Sequence, residues 1–468
     1  MMKKTSTIYK WAFLLICLFL NNKTKAQIYT STYDGISYSS NQPNNLNIVY
    51  FVANNVPLDP TYKTRLSAIM LWGQNFYKQN MISNGYGAKA FGLFRETANP
   101  NNVKIILIHG SQPLSSYPYT DSGLMQNEVN TYFANNPTQK TSEHTLVIAA
   151  VPDQATANVP FYGVGKTCFA LDYPQFNIQY VGTSTYEFSK WFGGMMHELG
   201  HGLNLPHSRQ TNSENLNPNK GKNLMGPGNL TLGASPTFIN RAGSAILNNC
   251  QVFTSAPGGT YYNNHNAGLT SLHTTYNNGI LTASGSFQSD RPVTDINIYQ
   301  DPHPAPHSVG GEAYERKAWS VPPVGNTFSV NMPVSELEIT NGQYNLQVEL
   351  VLQNGETTFD YYPFSYINGI PNINVHFGTL ATLETDSFYN NQSIYPNPVT
   401  DDLNINLGSA NDNYNIEIIN TLGEVIHKTG TSKKTIKISL STLPAGMYIV
   451  KIKNSSSNSG KSFSIIKK

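Results

Sequence analysis

Disulfide chemistry is all but missing from this sequence, which has three cysteines in 468 residues, one of them (Cys17) inside the first apolar run. A small cysteine-stapled scaffold is excluded, so the chain must be held by apolar cores of its own. Cys168 and Cys250 remain. In an oxidising compartment they either pair or stay as two free buried thiols, and the sequence does not decide between these. Charge is also sparse: Asp, Glu, Lys and Arg make up 12% of the chain. Residues 27–393 carry 16 basic and 23 acidic residues, a net of −7. No basic surface for nucleic acid is expected from that balance. Missing too is any apolar run of about 18 residues, the length a membrane-spanning helix needs. The run from Trp11 to Leu20 has ten. With Lys3 and Lys4 before it and Thr24-Lys25-Ala26 after it, it reads as a secretory signal over residues 1–26, cleaved before Gln27. Small residues of the kind that precede a lipoprotein cysteine are absent around Cys17, so no lipid anchor and a soluble mature chain are expected.

What is present centres on His197-Glu198-Leu199-Gly200-His201-Gly202-Leu203-Asn204-Leu205-Pro206-His207. On a helix, His197 and His201 are four residues apart and share one face, so both imidazoles reach one ion. Glu198 lies about 100° further round, where it deprotonates a metal-activated water rather than ligating the metal. His207 completes three protein ligands and leaves a fourth tetrahedral position open, the pattern of a catalytic Zn2+ site. A bare HExxH also turns up in unrelated helices; the third histidine at fixed spacing is what marks this one. To deliver His207 the helix must stop and turn back. Asn204 sits at that turn and tolerates a left-handed conformation, and Pro206 cannot continue a helix.

The surrounding periodicity predicts an α/β region. A buried strand is expected over Ile48–Val52. A helix follows, with Asp59 as N-cap and Pro60 at its first position, carrying Leu66, Ile69, Met70, Gly73, Phe76 and Tyr77 to about Asn80. Strands are expected at Val103–His109, Thr145–Val151, Thr167–Leu171 and Ile178–Val181. Asp121 caps a helix with Leu124, Met125, Val129 and Phe133, and Ser184-Thr185-Tyr186-Glu187 opens the histidine helix as a capping box. The result is a mostly parallel sheet with the histidine helix packed under it.

This stretch, over roughly residues 47–250, resembles the metzincin clan of zinc endopeptidases. The resemblance implies that His197, His201 and His207 bind zinc and that Glu198 is the general base. It also implies that Met225, in Asn223-Leu224-Met225-Gly226-Pro227-Gly228, is the methionine of the turn that supports the site. The sequence departs from the clan in three ways. Asn204 stands where the clan has glycine. Pro227 occupies the place of the tyrosine that some branches use as a further zinc ligand. No N-terminal cysteine latch is found, since Cys168 lies too far into the fold. In the clan the substrate lies extended along an edge strand, for which Thr167–Leu171 is the candidate here.

Beyond about Ala256 the period changes to two. Asn277-Asn278-Gly279 and Asn354-Gly355 are hairpin signals between runs at Ile280–Phe287, Ile296–Tyr299, Thr327–Val330, Tyr344–Leu352 and Thr357–Tyr366. An immunoglobulin-like or fibronectin-like sandwich is expected over residues 257–381. Its Trp319, Tyr361, Tyr362 and Phe364 either line a glycan or peptide groove or serve as core and edge packing. His303 and His307, among prolines, read as surface-loop residues in preference to a second metal site. A polar linker over 382–393 leads to residues 394–468, with strands at Leu403–Leu407, Tyr414–Ile419, Thr435–Leu440, Met447–Ile452 and Ser462–Ile466. That stretch, with its Asn420-Thr421-Leu422-Gly423 turn and Leu443-Pro444-Ala445-Gly446-Met447-Tyr448, resembles the C-terminal sorting domain of type IX secretion, a Bacteroidetes system.

The expectation is therefore a multidomain protein: an α+β metzincin-like domain over 27–256, the sandwich, and the sorting domain. Its expected role is that of a secreted or surface-attached zinc endopeptidase, with protein or peptide substrates and the type IX machinery as partners. One alternative is an endopeptidase for glycoproteins such as mucins, with the sandwich holding glycan; another is a non-catalytic binding module on the same scaffold. Structural calcium is not readable from the sequence.

Overall fold

The computed structural model describes residues 27–154, 161–183, 186–256, 258–303, 314–378, 393–407, 413–420, 424–454 and 460–468. The expected signal over 1–26, the first half of the capping box at Ser184-Thr185, the linker over 382–392, His307 and the turn residues 421–423 lie outside the described residues, as do the side chains of Tyr186 and Glu187. Three separate apolar cores are present.

The chain opens with a hairpin, β1 (Tyr29–Tyr33) and β2 (Ile36–Ser40), in a stretch with no clear signal in its sequence. Next come β3 (Asn47–Val52), helix α1 (Tyr62–Ser83), the short β4 (Arg95–Glu96), β5 (Ile106–His109), helix α2 (Gly123–Asn135) and β6 (Thr145–Ala150). β7 (Phe161–Val164), β8 (Thr167–Asp172) and helix α3 (Tyr186–Gly202), which carries two of the histidines, follow. The main sheet has the order β5-β3-β6-β8-β7, parallel except for the antiparallel β7. β3 and β6 are buried at every residue, as strands covered on both faces must be, which is why they read as unbroken apolar runs.

Four expectations need correction. Asp59 and Pro60 precede the helix, which starts at Tyr62. Asp59 instead accepts from the Thr61 amide and pairs with Arg65 at 2.6 Å, and Arg65 also forks onto buried Asp172 at 2.6 and 2.7 Å. Asp121 is not the N-cap residue, although it accepts from the amide of Gly123. Residues 178–180 form a single 3-10 turn rather than a strand, since Asn177 caps it and directs the chain into the loop before α3. Thr167–Leu171 is not an edge: β8 is paired on both sides, and the edge is β7, whose four residues carry too little pattern to be seen in the sequence.

After α3 come α4 (Asn212–Leu216), the paired short strands β9 (Lys222–Asn223) and β10 (Thr237–Phe238), and α5 (Arg241–Asn249). The sandwich has one sheet of β15 (Thr327–Pro333), β12 (Ile280–Ser289), β11 (Ala267–Asn277) and β19 (His376–Phe377). Its other sheet is β14 (Lys317–Val321), β13 (Val293–His303), β16 (Gly342–Leu352), β17 (Thr357–Ile367) and β18 (Ile370–Asn372). Asn278 and Gly279 both have positive φ, 49° and 79°, as a two-residue hairpin turn requires. The C-terminal unit is two sheets, β20 (Ser393–Tyr395), β21 (Asp402–Asn406) and β24 (Thr435–Ser439) against β22 (Tyr414–Ile419), β23 (Val425–Thr431), β25 (Gly446–Asn454) and β26 (Gly460–Lys467). Among the described residues no helix is long and apolar enough to cross a membrane.

Cys168 and Cys250 are free and buried. Cys250 lies 3.5 Å from Nε2 of buried His144, whose Nδ1 donates to the Gly202 carbonyl at the end of α3. Burial, together with the nearby Lys166, holds this imidazole neutral, with its pKa lowered from 6.5 to about 4. The folded state therefore binds fewer protons than the unfolded chain between these values, so stability is complete above about pH 6.5 and is lost as pH falls towards 4. In chelator-treated protein, urea unfolding at pH 7.5 and 4.5 is expected to differ by about 2–3 kcal/mol through His144. The difference should shrink in His144→Gln; an unchanged difference would refute this account.

Candidate metal centre

Helix α3 lies across the underside of β6, β7 and β8. Its apolar stripe, Trp191, Phe192, Met195, Met196 and Leu199, is buried, and Tyr77 of α1 donates to the Met196 carbonyl at 2.8 Å. Locked in this way, the helix presents His197 and His201 on one face, with Nε2 atoms 3.1 Å apart; His207 Nε2 lies 2.9 Å from that of His201. Among the described residues these three form the one cluster of ligating groups able to hold a metal, with their nitrogens all within 4.8 Å. The exposed His303 is not part of it.

The turn that brings His207 round ends the helix with two bonds. The Asn204 amide donates to His201 O at 2.8 Å and the Leu205 amide to Gly200 O at 2.9 Å, a Schellman cap with Asn204 in the left-handed position at φ 70°. Leu205 O is thereby turned back to accept from His201 Nδ1 at 2.8 Å. From below, Leu224 O accepts from His197 Nδ1 at 2.7 Å. A carbonyl can only accept, so both protons sit on Nδ1 and both Nε2 lone pairs face the cluster. Met225 is buried beneath the helix against Gly200, where any Cβ would strike its sulfur, and its carbonyl accepts from the Ser208 amide at 3.0 Å. Burial lowers the pKa of all three imidazoles, to about 3 for His197 and about 2 for His207. Neutral imidazole is the form that ligates, and three nitrogen donors this close together fit a single metal ion that takes nitrogen ligands, such as zinc.

Glu198 is directed toward β7, and burial raises its carboxyl to about 7. A Cβ at Gly163 would lie 3.4 Å from Glu198 Oε2, so the edge strand passes close over the carboxylate. Beside β7 a cavity of about 350 Å³ is lined by Tyr117, Tyr119, Tyr162, Phe169, Met125 and Leu171, among others. Tyr119 and Tyr162 meet edge to face at 4.8 Å, and Glu198 lies within electrostatic range of Tyr119.

The sequence reading missed this cavity and also missed what the sandwich contributes. Tyr314 stacks on His207 with centroids 3.6 Å apart, and Arg316 Nε donates to the His207 carbonyl across 109 positions of chain. No spacing rule links such distant residues. Of the two readings of the sandwich aromatics, the structure gives core and edge packing. Phe364 is buried in the core, Trp319 and Tyr362 pack against it, and Tyr361 alone of the four is exposed.

Three imidazoles that could hold one metal ion, beside a half-buried carboxylate at the edge of a mostly parallel sheet, are what the fold brings together, and a hydrolase-like site is the class they define. Among solved structures, wild-type OgpA from Akkermansia muciniphila is 34% identical, with a TM-score of 0.64 over 69% of this chain and 94% of that one. Catalytically inactive OgpA in complex with an O-glycopeptide substrate, glycodrosocin, matches with the same identity and TM-score over 69% and 93%. The chain belongs to the OgpA family. Residues 393–467 match the secretion system C-terminal sorting domain, which makes the protein one that is secreted or attached to the cell surface. Comparison with curated proteins finds no match.

The Asn204 turn yields a direct test. Asn204→Gly should keep zinc affinity, whereas Asn204→Val, forced to φ 70°, should lose about 1–2 kcal/mol of stability. It should also bind zinc more weakly in competition with a chromophoric chelator. Equal affinity for Asn204→Val would show that the turn does not position His207.

Proposed function

We propose that this protein is a zinc-dependent endopeptidase for O-glycosylated proteins, the more specific of the peptidase readings. One observation carries it: three converging neutral imidazoles and a half-buried carboxylate occur in a chain 34% identical to an enzyme crystallised with an O-glycopeptide substrate. His197, His201 and His207 would hold the zinc. When bound, zinc supplies Lewis acidity and acidifies a water molecule. Glu198 accepts a proton from the attacking water on its carboxylate and returns it to the nitrogen of the departing amine. Among the described residues β7 ends the sheet, and an extended substrate can add to its outer edge as a further strand. The cavity that Tyr119 and Tyr162 help to line would take the substituent next to the cut bond, offering aromatic surface to a sugar. That reading moves glycan recognition from the sandwich to the peptidase domain. The resemblance to metzincins, with Met225 under the helix, is consistent with this chemistry.

Glu198→Ala should retain one zinc per chain and lose at least about 100-fold in cleavage of an O-glycosylated peptide. Enzymatic removal of the glycans from a mucin should abolish its cleavage by the wild-type protein. Undiminished cleavage of the stripped protein, or of casein, would return the reading to a general endopeptidase, and a zinc-free, inactive preparation would favour a binding module. Mass spectrometry of exported protein should find the signal and about residues 394–468 removed; an intact tail on unattached protein would count against processing there.

A further inference from the structure

We infer that the β-sandwich completes the metal centre, with Tyr314 as the residue that positions His207 for ligation. This inference rests on the zinc reading above. His197 and His201 owe their orientation to carbonyls that accept from Nδ1. Among the described residues no carbonyl does so for His207, whose ring nitrogens have one neighbour, His201 Nε2. An imidazole without such a partner is free to turn about its Cβ–Cγ bond and point its lone pair elsewhere. The ring of Tyr314 supplies the missing restraint by lying at 28° to His207 and covering its face. It is also within 4° of parallel to the ring of His197, at 6.5 Å.

The backbone of the ligand loop is held by the residues that follow. Arg316 donates from Nε to His207 O and from Nη1 to Gln347 at 2.8 Å, and its guanidinium lies 4.9 Å over Tyr299. The Arg209 amide donates to Arg316 O at 2.8 Å, and Lys317 Nζ donates to Gln210 O at 2.6 Å. Arg209 forks onto Glu315 at 2.6 and 2.8 Å. Residues 207–210 are thus stitched to 315–317 on one side, while Ser208 is tied to the Met225 turn on the other. Glu315, Arg316 and Lys317 are buried, so these bonds are made away from solvent, where an alternative partner is lacking.

The test is zinc affinity of the full chain, read by competition with a chromophoric chelator, alongside thermal melting of the zinc-free protein. Tyr314→Ala should bind zinc about 10–100-fold more weakly, the range seen when the partner that orients a ligand is removed. Tyr314→Phe, which keeps the flat ring, should match wild type. Arg316→Ala should weaken binding as well, and Arg316→Lys should recover part of it. In cobalt-loaded protein the visible absorption of Tyr314→Ala should differ in position or intensity from that of wild type and Tyr314→Phe. If Tyr314→Ala is unfolded, Tyr314→Leu fills the same space without a flat ring and should weaken binding in its place. Wild-type affinity in a folded Tyr314→Ala or Tyr314→Leu would overturn the inference and leave the peptidase reading intact. A wild-type chain that binds no zinc would overturn both.

Discussion

Buried imidazoles are useful as ligands only if they stay neutral and all turn the same nitrogen inward. The region around α3 is arranged by that requirement. Neutrality follows from burial, which disfavours the charged ring. Orientation needs an acceptor behind each ring, and a helix has no spare carbonyl on its side, since each is used by the next turn. The acceptors therefore come from two loops. Leu205 O becomes available because Asn204 takes the left-handed position and reverses the chain. Leu224 O becomes available because the turn at Asn223–Gly226 runs beneath the helix, with Met225 packed into the space at Gly200. The helix stop, the small residue at 200 and the buried methionine turn answer one demand.

The carboxylate sits under a different constraint. Glu198 must be dry enough to hold a proton near neutral pH, yet reachable by substrate. β7 reconciles the two. As the antiparallel edge of an otherwise parallel sheet it covers the carboxylate, passing closest at Gly163. Among the described residues no strand pairs with its outer edge, which an extended chain could use. The cavity at Tyr119 and Tyr162 opens beside this strand, so a substrate lying along the edge would bring a substituted side chain to it.

Legibility in the sequence followed the range of the interactions. The spacing of His197, Glu198, His201 and His207, the strain-tolerant Asn204, and the apolar runs of β3 and β6 are local patterns, and each was readable. Asp59 misled because an acidic residue before a proline fits a helix start, while its carboxylate is used by Arg65 in an ion cluster with Asp172, 107 positions away from the arginine. β7 is four residues long and was invisible beside β8. The hairpin of β1 and β2 is built mostly of Tyr, Ser and Thr, even at its buried positions Tyr38 and Ser40, so it lacks the apolar signal of a strand. Tyr314 and Arg316 are brought to His207 purely by the docking of two domains, and no pattern in either segment announces it.

That docking is made largely by buried polar groups, unlike a loose tether between independent modules. Tyr86 donates to Asp295 at 2.7 Å, and Asn297 reaches Ala242 O at 3.2 Å. Behind it, Glu349 accepts from both Asn297 and Tyr299 at 2.8 and 2.7 Å, on the sheet face turned toward α5. Val351 of the sandwich belongs to the core of the peptidase domain. Buried polar groups are costly unless every partner is in place, so such an interface favours one relative placement of the domains and penalises others. A sandwich used as a mobile glycan-holding arm would need the opposite, a small and well-solvated contact. Its fixed seating is instead what a strand must have if it is to set the main chain of a metal ligand, where a displacement of about 1 Å is enough to spoil the geometry.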